Sequence, residues 1–152
     1  VQTMGRRVLA VASAGGHWQQ LMEIRPAFAG HTVQYVTTLD GLPAQFEAHP
    51  ATIVRDCNRD APLAVLVCLA QQVICVLRTR PHVVISTGAL PGVIALALGR
   101  LVGARTIWVD SVANAETMSM SGKLARRFAH LWLSQWEHVA TQAGATYLGR
   151  VL

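Results

Sequence analysis

Charge is scarce in this sequence, and the signatures of several enzyme classes are missing. Only 14% of the 152 residues are charged, whereas 52% are hydrophobic. This composition indicates a large buried fraction, an apolar partner surface or contact with a membrane. The sequence has no Walker loop, no paired metal ligands, no Ser-His-Asp set and no internal repeat. We therefore expect no metal site and none of the corresponding kinds of catalysis.

Cysteine is also scarce. Cys57, Cys68 and Cys75 fit no zinc-binding spacing, and the last two are seven residues apart, which places them on one face of a helix. We expect buried free thiols. An odd number of cysteines without a signal peptide predicts a reducing, cytoplasmic location.

Long apolar runs are missing near the start of the sequence. The longest run, residues 61–77, is interrupted by Gln71 and Gln72. We expect this run to be too short and too polar at its centre to span a bilayer.

Acidic residues are fewer than basic ones, and the net charge is +5. This excess favours anionic partners such as lipid headgroups or sugar phosphates. A predicted basic helix at residues 122–130 carries Lys123, Arg126 and Arg127 on one side, which suits an anionic bilayer but is more often a solvated face. Aromatic residues do not alternate with these cations, so we expect no nucleic-acid partner.

Strand and helix patterns alternate along the chain. The predicted strands span residues 7–12, 32–37, 52–54, 82–86, 106–110, 131–134 and 146–148, and the main predicted helices span residues 17–29, 62–79, 91–102 and 122–130. Continuous apolar strands that alternate with helices predict an α/β fold. We expect a Rossmann-like parallel sheet with helices on both faces, as a single domain over residues 1–152. Ligands of such folds bind beyond the carboxyl ends of the strands.

The first predicted strand ends in a glycine turn, residues 13–17. Gly15 and Gly16 allow a tight turn whose backbone N–H groups, at a helix N-terminus, suit a phosphate or diphosphate. His17 could hydrogen-bond a ligand or accept a proton from one. A plain strand-to-helix turn without a ligand is the alternative. The adjacent glycines do not match the dinucleotide pattern, which disfavours a nicotinamide or flavin cofactor.

A second glycine turn, residues 86–92, follows the fourth predicted strand. Ser86 and Thr87 offer hydroxyl groups and Gly88 an open backbone, so two facing turns could bind two phosphates. Equally, Gly88 and Gly92 could serve only the close packing of the following helix.

The clearest acids near this edge of the sheet are Asp110 and Glu116. Asp110 ends a buried strand, where a carboxylate is costly unless it is paired or used. Either acid could be a general base, although capping of neighbouring N–H groups is the more common role for Asp110. Ser121 is the predicted N-cap of the next helix, and residues 134–137 are polar enough to indicate a partner contact.

Residues 13–17, 86–92 and 108–124 occur in a characteristic order and spacing. Together they resemble the acceptor-side subunit of two-piece GT-B glycosyltransferases. In eukaryotes that subunit anchors the N-acetylglucosaminyltransferase that adds the second sugar to dolichol-diphosphate-GlcNAc. Bacterial relatives serve capsule and exopolysaccharide assembly. The likeness extends over nearly the whole chain, and residues 131–137 resemble the family's closing strand.

The resemblance implies the N-terminal, acceptor-binding half of a split hexosyltransferase. A separate catalytic subunit would supply the C-terminal half, the donor would be a UDP-sugar, and the acceptor would be linked to a polyprenyl diphosphate. No further cofactor is implied. By likeness to the one-chain transferase of peptidoglycan synthesis, Gly15, Gly16 and His17 would face these phosphates. Gly88 and Gly92, with Ser86 and Thr87, would form the second turn. The candidate catalytic residues are His17, Asp110 and Glu116.

The eukaryotic subunit has a membrane helix before its first strand, and this sequence shows none. The resemblance therefore implies peripheral contact at the cytoplasmic face of a membrane, through residues 61–77 or 122–130, or contact carried by the partner. Two other functions fit the sequence. One is a non-catalytic scaffold that recruits a catalytic partner to the membrane, and the other is a stand-alone nucleotide-binding Rossmann enzyme.

Overall fold

The computed structural model describes residues 5–151. Seven strands of this range form one parallel sheet. The strands are β1 (Arg7–Ala12), β2 (Thr32–Thr37), β3 (Ala51–Ile53), β4 (Val83–Gly88), β5 (Arg105–Val109), β6 (Leu131–Ser134) and β7 (Thr146–Tyr147). Their order is β3-β2-β1-β4-β5-β6-β7, and every neighbouring pair is parallel. The order reverses between β1 and β4, which is where ligands of such sheets bind.

Helices cover both faces of the sheet, as predicted. They are α1 (Gly16–Ile24), α2 (Leu42–Gln45), α3 (Pro62–Thr79), α4 (Ala89–Leu101), α5 (Met120–Ala125) and α6 (Glu137–Ala143), with a 3₁₀ turn at Arg25–Phe28. Side chains of β1 alternate between two cores: Leu9 and Val11 pack with Leu96 and Trp108, whereas Val8 and its alternating neighbours pack on the opposite face. This burial on both faces confirms the Rossmann-like layered fold.

Element ends differ from the sequence predictions where local chemistry intervenes. Helix α1 ends at Ile24 and continues as a 3₁₀ turn, because Pro26 has no N–H to continue an α-helix. Helix α5 is shorter than predicted, and its N-cap is Ser119 rather than Ser121. The Ser119 Oγ accepts a hydrogen bond from the Gly122 N–H at 2.8 Å. Helix α6 was not predicted, since seven residues give little periodic signal.

The three cysteines are buried free thiols, as predicted. Burial, and secondly the nearby Cys68 side chain, raise the pKa of the Cys57 thiol to about 12. Burial also raises the pKa of Cys75. The Cys57 and Cys75 thiols therefore stay protonated at neutral pH, and all three buried cysteines act as small apolar side chains.

Helix α3 is both a surface helix and unusually apolar. Among the described residues it is the one helix long and apolar enough to cross a membrane, with 18 residues and a mean hydropathy of 1.7. The sequence predicted that residues 61–77 are too short and too polar at their centre for a confident span; the helix extends to Thr79, and by length and composition alone it would reach across. Its packing indicates a surface position, because Cys68, Gln72, Cys75 and Val76 form a buried face. Gln72 Nε2 donates to the Pro91 carbonyl at 2.8 Å, which accommodates the polar centre of the helix.

Candidate functional site

The two glycine turns lie side by side where the strand order reverses. The Thr87 Oγ1 donates to the His17 carbonyl at 2.6 Å, and the His17 Nδ1 lies 3.2 Å from the Thr87 carbonyl oxygen. Ala12 pairs with Gly88 at the carboxyl ends of β1 and β4. The fold therefore brings together two turns that are about 70 residues apart in the sequence.

The first turn is open to solvent. Gly15 and Gly16 are exposed, and a Cβ added to either glycine would meet no atom within 4 Å. Gly15 has a φ of 86°, which suits glycine, and no side chain caps the N-terminus of α1. Because the first N–H groups of a helix lack intrahelical acceptors, this turn presents backbone donors and the positive end of a helix dipole.

The second turn lies beneath the first and is buried. Ser86 and Thr87 are 0% exposed, and Gly88 and Gly92 are also buried. The Ser86 Oγ accepts the Gly88 N–H at 3.2 Å, and a Cβ on Gly92 would lie 2.0 Å from that oxygen. These four residues are therefore covered in this structure, and their predicted contact with a phosphate stays a prediction. Close packing, the alternative considered for the two glycines, accounts for them.

Backbone strain is concentrated at the junction of the two turns. Gly88 has a φ of 153° and a ψ of 173°, a region open essentially to glycine, and Ala89 has a φ of 69°. A Cβ on Gly88 would lie 2.0 Å from the His17 Nδ1. The absence of a side chain at Gly88 thus allows the imidazole ring to lie directly on the second turn.

Asp110 organises the loop after β5. Its carboxylate accepts hydrogen bonds from the Trp108 Nε1 (3.0 Å), the Asn114 Nδ2 (3.2 Å), and the Ser119 N–H (2.9 Å) and Oγ (2.6 Å). The residue is only 2% exposed. Four donors satisfy a buried carboxylate, so the geometry is that of the capping alternative, and Asp110 positions the loop rather than facing a ligand.

Glu116 lies exposed on the loop that Asp110 holds in place. Within residues 5–151, no hydrogen bond joins it to His17 or to the first turn. The structure therefore brings His17 together with Gly15 and Gly16. The Asp110 carboxylate is bound by donors of its own strand and loop, and Glu116 faces solvent on that loop.

A buried amide network escaped the sequence analysis. Gln20 donates through Nε2 to the Ser111 Oγ (2.9 Å), while its Oε1 accepts from the Val112 N–H and the Gln135 Nε2. Gln135 also donates to the Asp110 carbonyl and accepts from the Val151 N–H. Gln135 is thus internal, which corrects its expected part in a partner contact. The sequence signal for this network was Gln20, a polar residue that lies beside Trp18 and Leu21 on the apolar face of α1.

Comparisons with known proteins identify a family for this chain. The family model described as "Oligosaccharide biosynthesis protein Alg14 like" matches residues 44–151, more than two thirds of the chain. The UDP-N-acetylglucosamine transferase subunit ALG14 of Eremothecium gossypii is 36% identical over 70 residues. That match spans 42% of this chain and 31% of the relative. The family match does not include the first glycine turn, since residues 13–17 precede its range.

Solved structures show the same fold. MurG of Acinetobacter baumannii superposes with a TM-score of 0.74 at 13% identity over 97% of this chain and 44% of MurG. The UDP-GlcNAc 2-epimerase of Neisseria meningitidis, solved with UDP-GlcNAc bound, gives a TM-score of 0.68 at 10% identity over 89% of this chain and 42% of the epimerase. The chain thus spans less than half of either protein. The predicted fold, a Rossmann-like half of a GT-B architecture, is confirmed.

Proposed function

The chain belongs to the Alg14-like family of oligosaccharide biosynthesis proteins, and from this membership we propose that it is the acceptor-binding subunit of a split glycosyltransferase. The reaction transfers a sugar from a UDP-sugar to an acceptor linked to a polyprenyl diphosphate. The name of the fungal relative favours UDP-N-acetylglucosamine as the donor. No cofactor beyond this donor is part of the proposal.

A partner subunit completes the enzyme in this proposal. The fungal relative is named a transferase subunit, which supports a second polypeptide that supplies the nucleotide-sugar site and the contacts that stabilise the leaving UDP. The two chains form a heterodimer.

The exposed first turn carries the proposal for the acceptor site. Backbone N–H groups of Gly16 and His17, at the N-terminus of α1, bind the diphosphate of the acceptor, and the helix dipole adds to this attraction. The buried second turn fixes the position of the first. Such pre-positioned donors need little reorganisation when the anion binds.

His17 is the proposed general base. A carbonyl oxygen only accepts hydrogen bonds, so the contact with Thr87 assigns the ring proton to Nδ1 and leaves Nε2 as the acceptor in a neutral imidazole. Nε2 takes the proton of the acceptor hydroxyl as its oxygen bonds to the anomeric carbon. The bond from that carbon to the UDP oxygen breaks at the same time, and UDP leaves with the electron pair. Glu116 is the second candidate base, and Asp110 is a positioning residue.

Peripheral membrane contact at the cytoplasmic face is the remaining part of the proposal. Helix α3 supports it because its outer side exposes large apolar residues along its whole length: Leu63, Leu66, Val67, Leu69, Ile74 and Leu77. Apolar patches of this extent on a protein surface usually mark an interaction site. A lipid-linked acceptor requires an enzyme that works at the bilayer surface.

Substitution of His17 tests the catalytic role. We expect His17→Ala, assayed in complex with the partner subunit, to lower kcat by about 10²-fold to 10⁴-fold, the usual contribution of a general base. His31→Gln is the control, because His31 is exposed and lies outside the candidate site. Its Nδ1 accepts a hydrogen bond from the Arg6 backbone N–H, before the start of β1. If His17→Ala and Glu116→Gln both keep full turnover while omission of the partner abolishes it, the scaffold alternative replaces the catalytic role.

A further inference from the structure

The edge of the sheet opposite the glycine turns has a cavity that the proposed transfer reaction does not use. Its volume is about 700 Å³. It lies where α3 and α4 end and where β1, β4 and β5 begin. Its main lining side chains are Arg7, Leu77, Arg80, His82, Val102 and Arg105. Arg6 also lines the cavity, so four arginines and one histidine share one cavity with apolar walls.

Hydrogen bonds hold the side chains of Arg7 and His82 in place at this cavity. Arg7 Nε donates to the Arg80 carbonyl at 2.8 Å, which uses one of the five N–H donors of its guanidinium group. The His82 Nδ1 accepts the Arg7 backbone N–H at 2.9 Å, so the neutral ring carries its proton on Nε2. Arg105 begins β5, and its backbone N–H bonds to the His82 carbonyl. The lining side chains therefore offer donors to an anion.

No carboxylate offsets this charge along the neighbouring chain. The sequence contains no Asp or Glu between Asp60 and Asp110, the stretch that forms α3, β4, α4 and β5. The same stretch contains four arginines, Arg78, Arg80, Arg100 and Arg105. A surface with cations and without acids attracts anions over several ångströms.

The apolar side of α3 leads directly to the cavity. Leu77, at the cavity wall, is 62% exposed, and Leu101 and Val102 at the end of α4 are 82% and 49% exposed. An exposed apolar stripe beside a cationic group is the arrangement that binds an anionic bilayer surface, with the apolar side chains in the interface and the cations at the headgroups. A soluble phosphate or a nucleotide makes no use of such an apolar rim.

The cavity is remote from the glycine turns. Helix α3 runs from the carboxyl ends of the strands back to their amino ends, and its 18 residues span about 27 Å. Strand β1 separates the cavity from the first turn and spans about 20 Å over its six residues, so an anion in the cavity lies well away from the amide groups of that turn. The two sites can be occupied by two different molecules.

We propose that this cavity binds the phosphate headgroup of an anionic phospholipid while the outer side of α3 lies in the bilayer interface. Arg80 and Arg105 contact the phosphate, and Leu77 and Leu101 lie against the acyl region. The headgroup contact fixes the orientation of the domain on the membrane, with α3 parallel to the surface. This inference deepens the peripheral membrane contact of the proposed function and rests on it.

Vesicle binding by the purified chain tests the inference. The chain is sedimented with vesicles of phosphatidylcholine alone, or with about one third phosphatidylglycerol, at about 0.1 M salt. The test variant is Arg80→Gly with Arg105→Gln. Arg80 ends α3 in a left-handed conformation (φ 45°), which glycine adopts readily, so this variant keeps the fold. A cation near an anionic surface contributes about fivefold in binding, so we expect a loss of about 25-fold on the anionic vesicles.

Lys123→Gln with Arg127→Gln is the comparison variant, because it removes the same charge from residues 122–130, the other candidate membrane surface, and a larger loss there than at the cavity would overturn the inference. We expect this comparison variant to lose less than threefold. Equal losses for both double variants would overturn the inference, since general charge would then explain binding. Unchanged vesicle binding by the Arg80→Gly, Arg105→Gln variant, together with saturable binding of inorganic phosphate that this variant loses, would also overturn it in favour of a free-phosphate site.

A separate assay distinguishes this inference from the proposed function. Transfer to a short-chain acceptor in detergent micelles, with the partner subunit present, involves no anionic bilayer. We expect Arg80→Gly with Arg105→Gln to keep wild-type turnover there. Loss of vesicle binding with intact micellar turnover supports the lipid site, whereas unchanged vesicle binding overturns it whatever the turnover. Absence of transfer by the wild-type complex would contradict the proposed function alone.

Discussion

At the scale of single residues, the candidate site depends most on Gly88. This glycine has a φ of 153°, and an added Cβ would lie 2.0 Å from the His17 Nδ1. We expect Gly88→Ala to displace the imidazole and to lower the free energy of unfolding by more than about 2 kcal/mol, because it combines backbone strain with overlap. Urea unfolding measures this loss.

Gly103→Ala is the control for that substitution. Gly103 also has a positive φ, 82°, but an added Cβ would meet no atom within 4 Å. We therefore expect Gly103→Ala to cost about 1 kcal/mol, from backbone strain alone. Equal losses for the two variants would contradict the packing of His17 on the second turn.

At the scale of elements, the N-terminus of α1 links stability to binding. Gly16 lies in the first turn of this helix, which has no acid and no side-chain cap, and the space beside it is open. A carboxylate there favours the helix dipole, so we expect Gly16→Asp to raise the free energy of unfolding by about 0.5 kcal/mol. The same charge repels a diphosphate, so we expect the KM for the acceptor to rise at least tenfold.

Gly16→Ala is the uncharged control, and we expect it to leave the KM for the acceptor within threefold of wild type. Thermal unfolding and steady-state kinetics of the complex measure the two effects. A more stable Gly16→Asp variant with an unchanged KM would show that the acceptor diphosphate binds elsewhere.

Elements with strong periodic patterns were predictable from the sequence. The bounds of β1, β2, β6 and α3 agree with the predicted ranges, because continuous apolar strands and a long apolar helix give clear signals. The role of the second turn was not predictable. Ser86 and Gly92 have the composition of a phosphate-binding turn, and only the packing of α4 against β4 and β5 shows that they are covered. Asp110 likewise has donors that arrive from the loop and from α5.

At the scale of the whole molecule, residues 5–151 form one layered α/β unit with two separate edges to which the account assigns functions. The carboxyl edge of the sheet presents the exposed first turn, and the amino edge presents the arginine-lined cavity. Helix α3 runs between them with its apolar side outward. In the proposed account, the carboxyl edge binds the acceptor diphosphate and meets the partner, while α3 and the amino edge hold the domain on the bilayer.

The most direct test of the account observes the backbone amides of the first turn. The isotopically labelled chain, without its partner, is titrated with a short polyprenyl-diphosphate-linked N-acetylglucosamine and, separately, with UDP, while amide NMR signals are followed. We predict saturable shifts at Gly15, Gly16 and His17 with the acceptor and none with UDP, whose site belongs to the partner. Unmoved signals at these three residues with the acceptor, or saturation by UDP alone, would contradict the account.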